Sequence, residues 1–236
     1  MESLVQDTIK TRVQSVLAKI RAAAEKAGRS ASTVRLVAAT KTVAIPQIAE
    51  GVQAGLFLLG ENRVQEALTK IPAFTHGSVQ WHFIGQLQRR KVRSVIGVFD
   101  LIHSVDSLEL AQEIDRRAGD AGHRQDVLLE INVGNEPTKA GFRPDDVREV
   151  VSEMAHLSHI RIKGLMAIPP PTSDPASARP YFRKLAELAK MIDAQQLPSV
   201  KMDELSMGMS NDYEVAIEEG ATLVRVGSAI FGARHV

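Results

Sequence analysis

The sequence predicts a single (β/α)8 barrel of the TIM type, an α/β fold, with an extra N-terminal helix. Three observations carry this. There are eight short apolar runs, and a helix-like segment fills every gap between them. The length, 236 residues, suits one large α/β domain. Strands that alternate with helices imply a parallel sheet. Eight such units in about 200 residues imply closure into a barrel. An open doubly wound sheet is the alternative. The domain is expected to span residues 1–236, with residues 1–28 forming the N-terminal helix.

In that first segment Leu4, Val5, Ile9, Val13, Val16, Leu17 and Ile20 recur at helical spacing. Charges interrupt each apolar run, so the segment is not a signal peptide. It reads as an amphipathic helix packed on the barrel and ended by Gly28. The first strand, 35–40, lies in the run VRLVAATK, apolar enough for burial on both faces and ended by Lys41. Further strands are expected at 56–59, 80–84, 99–103, 127–132, 161–167, 202–206 and 222–226. Helices are expected at 45–54, 61–70, 86–96, 107–121, 144–157, 175–195 and 211–219. The proline-rich stretch 169–175 is a loop and not a domain boundary.

Hydrophobic residues make up 44% of the chain, enough for a sizeable core. The net charge of +1 gives no global field toward nucleic acid or membrane. The basic run 88–93 has no interleaved aromatics and reads as a solvated face. No segment approaches the length of a membrane span. The chain has no cysteine, which removes disulfides, thiolate catalysis and Cys-ligated zinc and fits a reducing compartment. The expectation is a soluble cytoplasmic protein with no metal site, no nucleic acid partner and no membrane partner.

In such barrels active sites form at the C-terminal strand ends. Those ends read Lys41, Gly60-Glu61-Asn62, His82, Ser104, Asn132, Met166, Ser206 and Arg225. A lysine closing a buried strand has its amine at an apolar mouth, where desolvation favours the neutral form. A neutral amine attacks aldehydes. The alternative is a surface lysine. His82 also reads as a satisfied core histidine. Asn62 also reads as the cap of the following helix, and Ser104 or Asp106 as the cap of a later one. After the seventh strand comes SMGMSND (206–212), and after the eighth comes RVGSAIFG (225–232). These are the two loops where such barrels commonly hold phosphate. Small residues let backbone N–H groups approach an anion, and Ser210 and Ser228 can donate from their hydroxyls. A lysine for an aldehyde beside a phosphate cradle suggests pyridoxal 5′-phosphate (PLP). Sugar-phosphate aldolases combine the same features. Arg225, two residues before Gly227, points where the pyridine nitrogen of PLP would lie and cannot accept its proton. An ordinary barrel-end ion pair is the other reading.

The segments ATKT (39–42), FLLGENRVQEA (57–67), WHFIGQLQ (81–88), IKGLMAIP (162–169), LSMGMSNDYEVAI (205–217) and VRVGSAIFGAR (224–234) together resemble the YggS/PROSC family of PLP homeostasis proteins. The resemblance runs from about residue 8 to residue 234. It implies a barrel like the N-terminal domain of alanine racemase. It implies that Lys41 is the Schiff-base lysine, that Ser210, Gly227 and Ser228 hold the phosphate, and that Arg225 faces the pyridine nitrogen. Asn62, His82 and Met166 would line the pocket. Two departures stand out: 88–91 is more basic than the family pattern, and Asn211 stands where Asp is common.

The resemblance also implies a protein that holds PLP as an internal aldimine and serves vitamin B6 and amino-acid homeostasis without turning over a defined substrate. Apo-forms of PLP enzymes are the candidate recipients. No second domain like that of alanine racemase is expected after FGAR. Its two tyrosines, Tyr181 and Tyr213, are not at strand ends. The alternatives are a small PLP-dependent amino-acid racemase, with His82 or a water opposite Lys41, and an aldolase using Lys41 without PLP. Lys139 reads either as a gate at the mouth or as a solvated loop lysine.

Overall fold

The first strand, β1 (Arg35–Ala39), pairs in parallel with both β2 (Leu58–Glu61) and β8 (Leu223–Val226). That double pairing closes the sheet. The intervening strands are β3 (Gln80–Phe83), β4 (Leu101–Val105), β5 (Gln125–Glu130), β6 (Ile160–Met166) and β7 (Val200–Met209). Each pairs in parallel with its sequence neighbours, so the strand order is sequential all the way round. A computed structural model of the chain describes residues 7–75 and 77–232. The predicted barrel is the fold observed.

Alternation along the strands sorts residues between two cores. Val37, Leu58, Leu101, Leu128, Met166 and Leu223 form a small cluster inside the barrel. The much larger cluster lies between the sheet and the surrounding helices. Residues paired in register share a face. His82 pairs with Leu101, Arg225 with Val37, and Ser206 with both Met166 and Leu223, so all three point inward. Glu130 pairs with Met166 and is inward as well.

The helices are α1 (Ile9–Lys26), α2 (Ile45–Gln53), α3 (Val64–Lys70), α4 (Leu108–Asp120), α5 (Val147–Met154), α6 (Arg179–Asp193), α7 (Tyr213–Glu218) and α8 (Ser228–Phe231). The extra helix, α1, opens with a capping box. Thr8 Oγ1 accepts from Thr11 N–H at 3.2 Å, and Thr11 Oγ1 accepts from Thr8 N–H at 3.0 Å. Its buried face, Ile9, Val13, Val16, Ile20, Ala23 and Ala24, packs on α7 and α8. It ends at Lys26, and Gly28 follows at φ +68. Leu4 and Val5 lie outside the described residues.

Several boundaries differ from expectation. Strands β2 and β4 each start two residues later than predicted. Leu56 is spent on the end of α2, where its N–H reaches Gly51 O, and Phe99 N–H likewise reaches back to Val95 O. Residues Arg89–Ser94 form a 3-10 helix within the stretch read as an α-helix. The predicted 175–195 helix divides into a 3-10 turn at Pro175–Ala178 and α6. Strand β7 runs on to Met209 through a register shift, so Ser206 sits inside the barrel and not beyond its strand. The cap of α4 is Ser107, whose Oγ accepts from Leu110 N–H; Ser104 instead donates to Gly85 O at 2.5 Å.

Candidate functional site

One cleft of about 1480 Å³ opens at the C-terminal strand ends. Lys41, Arg225, Ser210, Gly227 and Ser228 all border it. Lys139 and the proline-rich stretch Pro169–Pro171 form part of its rim. Asn62, His82 and Met166 are not among the bordering residues. His82 and Met166 are buried inside the barrel beneath it. Asn62 sits at the top of β2 with its Oδ1 buried and, among the described residues, without a hydrogen-bond partner. It does not cap α3, where Arg63 holds the cap position.

The segment that carries Lys41 is held unusually firmly. Thr40 continues the ladder by donating its N–H to Gly60 O at 2.9 Å. Its hydroxyl donates to Glu61 Oε1 at 2.6 Å. Its carbonyl accepts from the buried Lys70 Nζ at 2.7 Å. Lys70, on α3, also donates to Glu61 Oε1 at 2.8 Å and Glu66 Oε1 at 2.6 Å. Glu66 Oε1 accepts the Thr42 N–H at 2.6 Å as well. Thr42 has φ +62, a left-handed conformation that β-branched residues avoid. Such strain costs on the order of 1–3 kcal/mol and persists only where surrounding contacts impose it. Burial pushes the Glu61 carboxyl above its ordinary range, against the pull of hydrogen bonds from Lys70 and Thr40. Burial acts the same way on Glu66, but hydrogen bonds from Lys70 and Thr42 outweigh it and leave that carboxyl lowered.

Across the β1–β8 seam from Lys41, β7 and β8 bring Ser210 to the start of α8. Gly227 N–H and Ala229 N–H converge on Ser210 Oγ at 3.3 and 3.4 Å. Both bonds are longer than the usual N–H···O range. A Cβ on Gly227 would lie 3.2 Å from Ala39 O, so a glycine lets the loop sit this close to β1.

Arg225 forms the floor. It is buried, and it donates through Nη1 to Ser206 O at 2.8 Å and Ser206 Oγ at 2.5 Å. Nη2 donates to Ala167 O at 2.9 Å. These acceptors are neutral, and among the described residues its charge has no ion-pair partner in contact; Glu130 and Asp212 act on it through space. Burial lowers the guanidinium to about 10, which keeps it cationic at neutral pH. Burial, then Asp106, raises the inward carboxyl of Glu130 to about 7.

A polar chain continues from Arg225 across the barrel. Ser206 Oγ lies 2.8 Å from His103 Nδ1, and His103 Nε2 lies 2.8 Å from His82 Nδ1. Its direction follows from Arg225, which can only donate. Ser206 accepts from Arg225 and so has its proton free for His103 Nδ1. His103 then donates from Nε2 to His82. Burial, with Arg35 adding to it, pushes His82 down to about 3, and burial and His82 push His103 well below the ordinary histidine range. Both rings are neutral. The core reading of His82 is what the geometry bears out. His103 was not singled out from the sequence, although its spacing of two from the inward Leu101 and its place opposite His82 carry the signal.

Residues 13–235 match the family described as alanine racemase, N-terminal domain, which is the class that this fold and site define. A pyridoxal phosphate homeostasis protein of Aquifex aeolicus is 47% identical over 94% of this chain and 97% of its own length. One of Pseudomonas aeruginosa is 41% identical over 96% of each. The chain belongs to this family of pyridoxal phosphate homeostasis proteins. The solved structure of PipY from Synechococcus elongatus with PLP bound superposes with a TM-score of 0.83 at 36% identity, covering 95% of this chain and 100% of that one. Among the described residues no helix is long and apolar enough to cross a membrane, and no cluster of histidines and carboxylates is arranged to hold a metal ion.

Proposed function

We propose that this chain binds PLP through Lys41 and maintains the PLP supply of its cell without turning over a defined substrate. The observation that carries this is the meeting of three features in one cleft: the Lys41 amine, the donors around Ser210, and the uncancelled cation Arg225. The residues present fit the cofactor. Converging N–H donors suit a phosphate. When bound, PLP supplies an aldehyde: the lysine nitrogen forms a C=N bond to the aldehyde carbon, the oxygen leaves as water with two protons, and no electrons are exchanged. Ser210, Gly227 and Ser228 would hold the phosphate. Arg225 would face the ring nitrogen as a donor and keep it from carrying a proton. His82 and Met166 would act from beneath, through the barrel interior, and Asn62 from the top of β2. The names of the relatives and the PLP in the PipY structure support the reading.

The racemase alternative needs an acid or base on the face opposite Lys41. His82 is buried, neutral and bonded to His103, and among the described residues bordering the cleft there is no histidine or tyrosine. Apo-forms of PLP enzymes are the proposed recipients, and cytoplasm the proposed location. The test is the absorbance of the protein after loading with PLP. A visible band that borohydride removes, with the pyridoxyl group mapped to Lys41 and absent from Lys41→Ala, is the expected result. Attachment at another lysine would overturn the assignment. Transfer of the cofactor to an apo-PLP enzyme, faster than its release into buffer, tests the carrier role.

A further inference from the structure

We infer that the buried cluster of Glu61, Lys70 and Glu66, on β2 and α3, positions Lys41 for its bond to the cofactor aldehyde. The inference rests on the reading of Lys41 given above. None of the three residues borders the cleft, so none can touch a ligand there. Yet they hold both neighbours of Lys41. Lys70 fixes the carbonyl of Thr40, Glu61 fixes its hydroxyl, and Glu66 fixes the N–H of Thr42. The Thr42 hydroxyl in turn donates to Lys41 O at 2.6 Å.

This arrangement is more than the fold requires. The side chains of Lys70 and Glu61 are 6% and 0% exposed, and burying a cation with two carboxylates between sheet and helix is not a route to stability that apolar residues could not match. What the cluster secures is local. It holds Thr42 in a left-handed conformation and Thr40 in the sheet ladder, and so fixes the backbone on both sides of Lys41. An amine aimed at a phosphate-anchored aldehyde reacts far faster than one that must search for it. Glu61, Lys70 and Glu66 are therefore positioning residues.

The experiment separates aim from affinity. Lys70→Met would strand Glu61 in the core, so the half-buried Glu66 and the turn itself are the places to cut. At saturating PLP, Glu66→Ala and Thr42→Pro, whose ring forbids the positive φ and removes the N–H, should each slow formation of the borohydride-fixed Lys41 adduct on the order of ten- to a hundredfold. Glu66→Gln keeps an acceptor for the Thr42 N–H and should recover most of the rate. In a Lys41→Ala background, adding Glu66→Ala should leave the noncovalent dissociation constant for PLP unchanged, because the proposed phosphate donors lie just beyond β7 and β8. Equal rates in wild type, Glu66→Ala and Thr42→Pro would overturn the inference alone. So would a weaker noncovalent affinity matching the loss of rate, since that is the mark of general distortion. A wild type that fixes no PLP at Lys41 would overturn the cofactor reading and the inference with it.

Discussion

Replacing His82 with asparagine should flatten the acid dependence of stability. The wild-type ring is held neutral, with its folded value near 3 against an ordinary 6.5. Below pH 6.5 the unfolded chain takes up a proton that the folded chain refuses, so the contribution is complete above that pH and is lost on acidification. The loss is about 1.4 kcal/mol per pH unit, reaching about 2 kcal/mol at about pH 5. For a chain of this length each kcal/mol moves Tm by roughly 2–4 °C. The wild type should therefore lose about 4–8 °C more than His82→Asn between about pH 7 and about pH 5. Asparagine suits the site because its Oδ1 can accept from His103 Nε2 much as the ring nitrogen does. The carboxyl of Glu130, raised to about 7, works in the opposite direction, gaining a proton in the folded state as pH falls, but it is common to both proteins and cancels in the difference. The assay is thermal unfolding by circular dichroism across that pH range. Two Tm curves falling in parallel would refute the neutral-ring argument.

Ser210→Ala removes a hydroxyl from the phosphate donors and should weaken PLP binding by roughly 1.5–3 kcal/mol, ten- to a hundredfold, without moving the absorbance band; an unchanged dissociation constant by equilibrium dialysis counts against the cradle. Arg225→Gln keeps a donor for one carbonyl of the floor but removes the cation, and should raise exchange of the alanine Cα proton for deuterium at matched PLP occupancy. No change in exchange would mean that Arg225 does not restrain the ring. Gly85→Ala would place a Cβ 2.3 Å from the backbone oxygen of Asn62, so the β2 end must move, and Tm should fall by several degrees; an unaltered Tm would show that this loop has slack.

The barrel was legible because it repeats: each strand could be placed by its apolar run and its distance from the next helix. What apolarity cannot report is whether a leucine pairs in a strand or plugs a helix end, and Leu56 and Phe99 were misassigned for that reason. Lys41 and the glycine-serine loops could be read because sequence position alone puts them at strand ends. The interior chain could not. Ser206 read as the end of its strand, but Gly208, at φ +86, and a register shift let β7 continue past it to Met209. The cluster behind Lys41 was half visible, since Glu66 and Lys70 stand four apart on a helix, the spacing of an ordinary surface pair. Only packing against β2 shows that the pair is buried and tied to Thr40.

The pairing of β1 with β8 has a kinetic meaning. Val37 and Arg225 are register partners, although nearly the whole barrel sequence separates them. Lys41 lies just past one side of this seam, and Arg225 and Gly227 lie on the other. Contacts so distant in sequence form late in folding, after the intervening loops have been closed. Half a barrel emerging from the ribosome thus has the lysine but no anion cradle opposite it. A phosphate-bearing ligand held from both sides would tie together the two strands that lie farthest apart in the sequence.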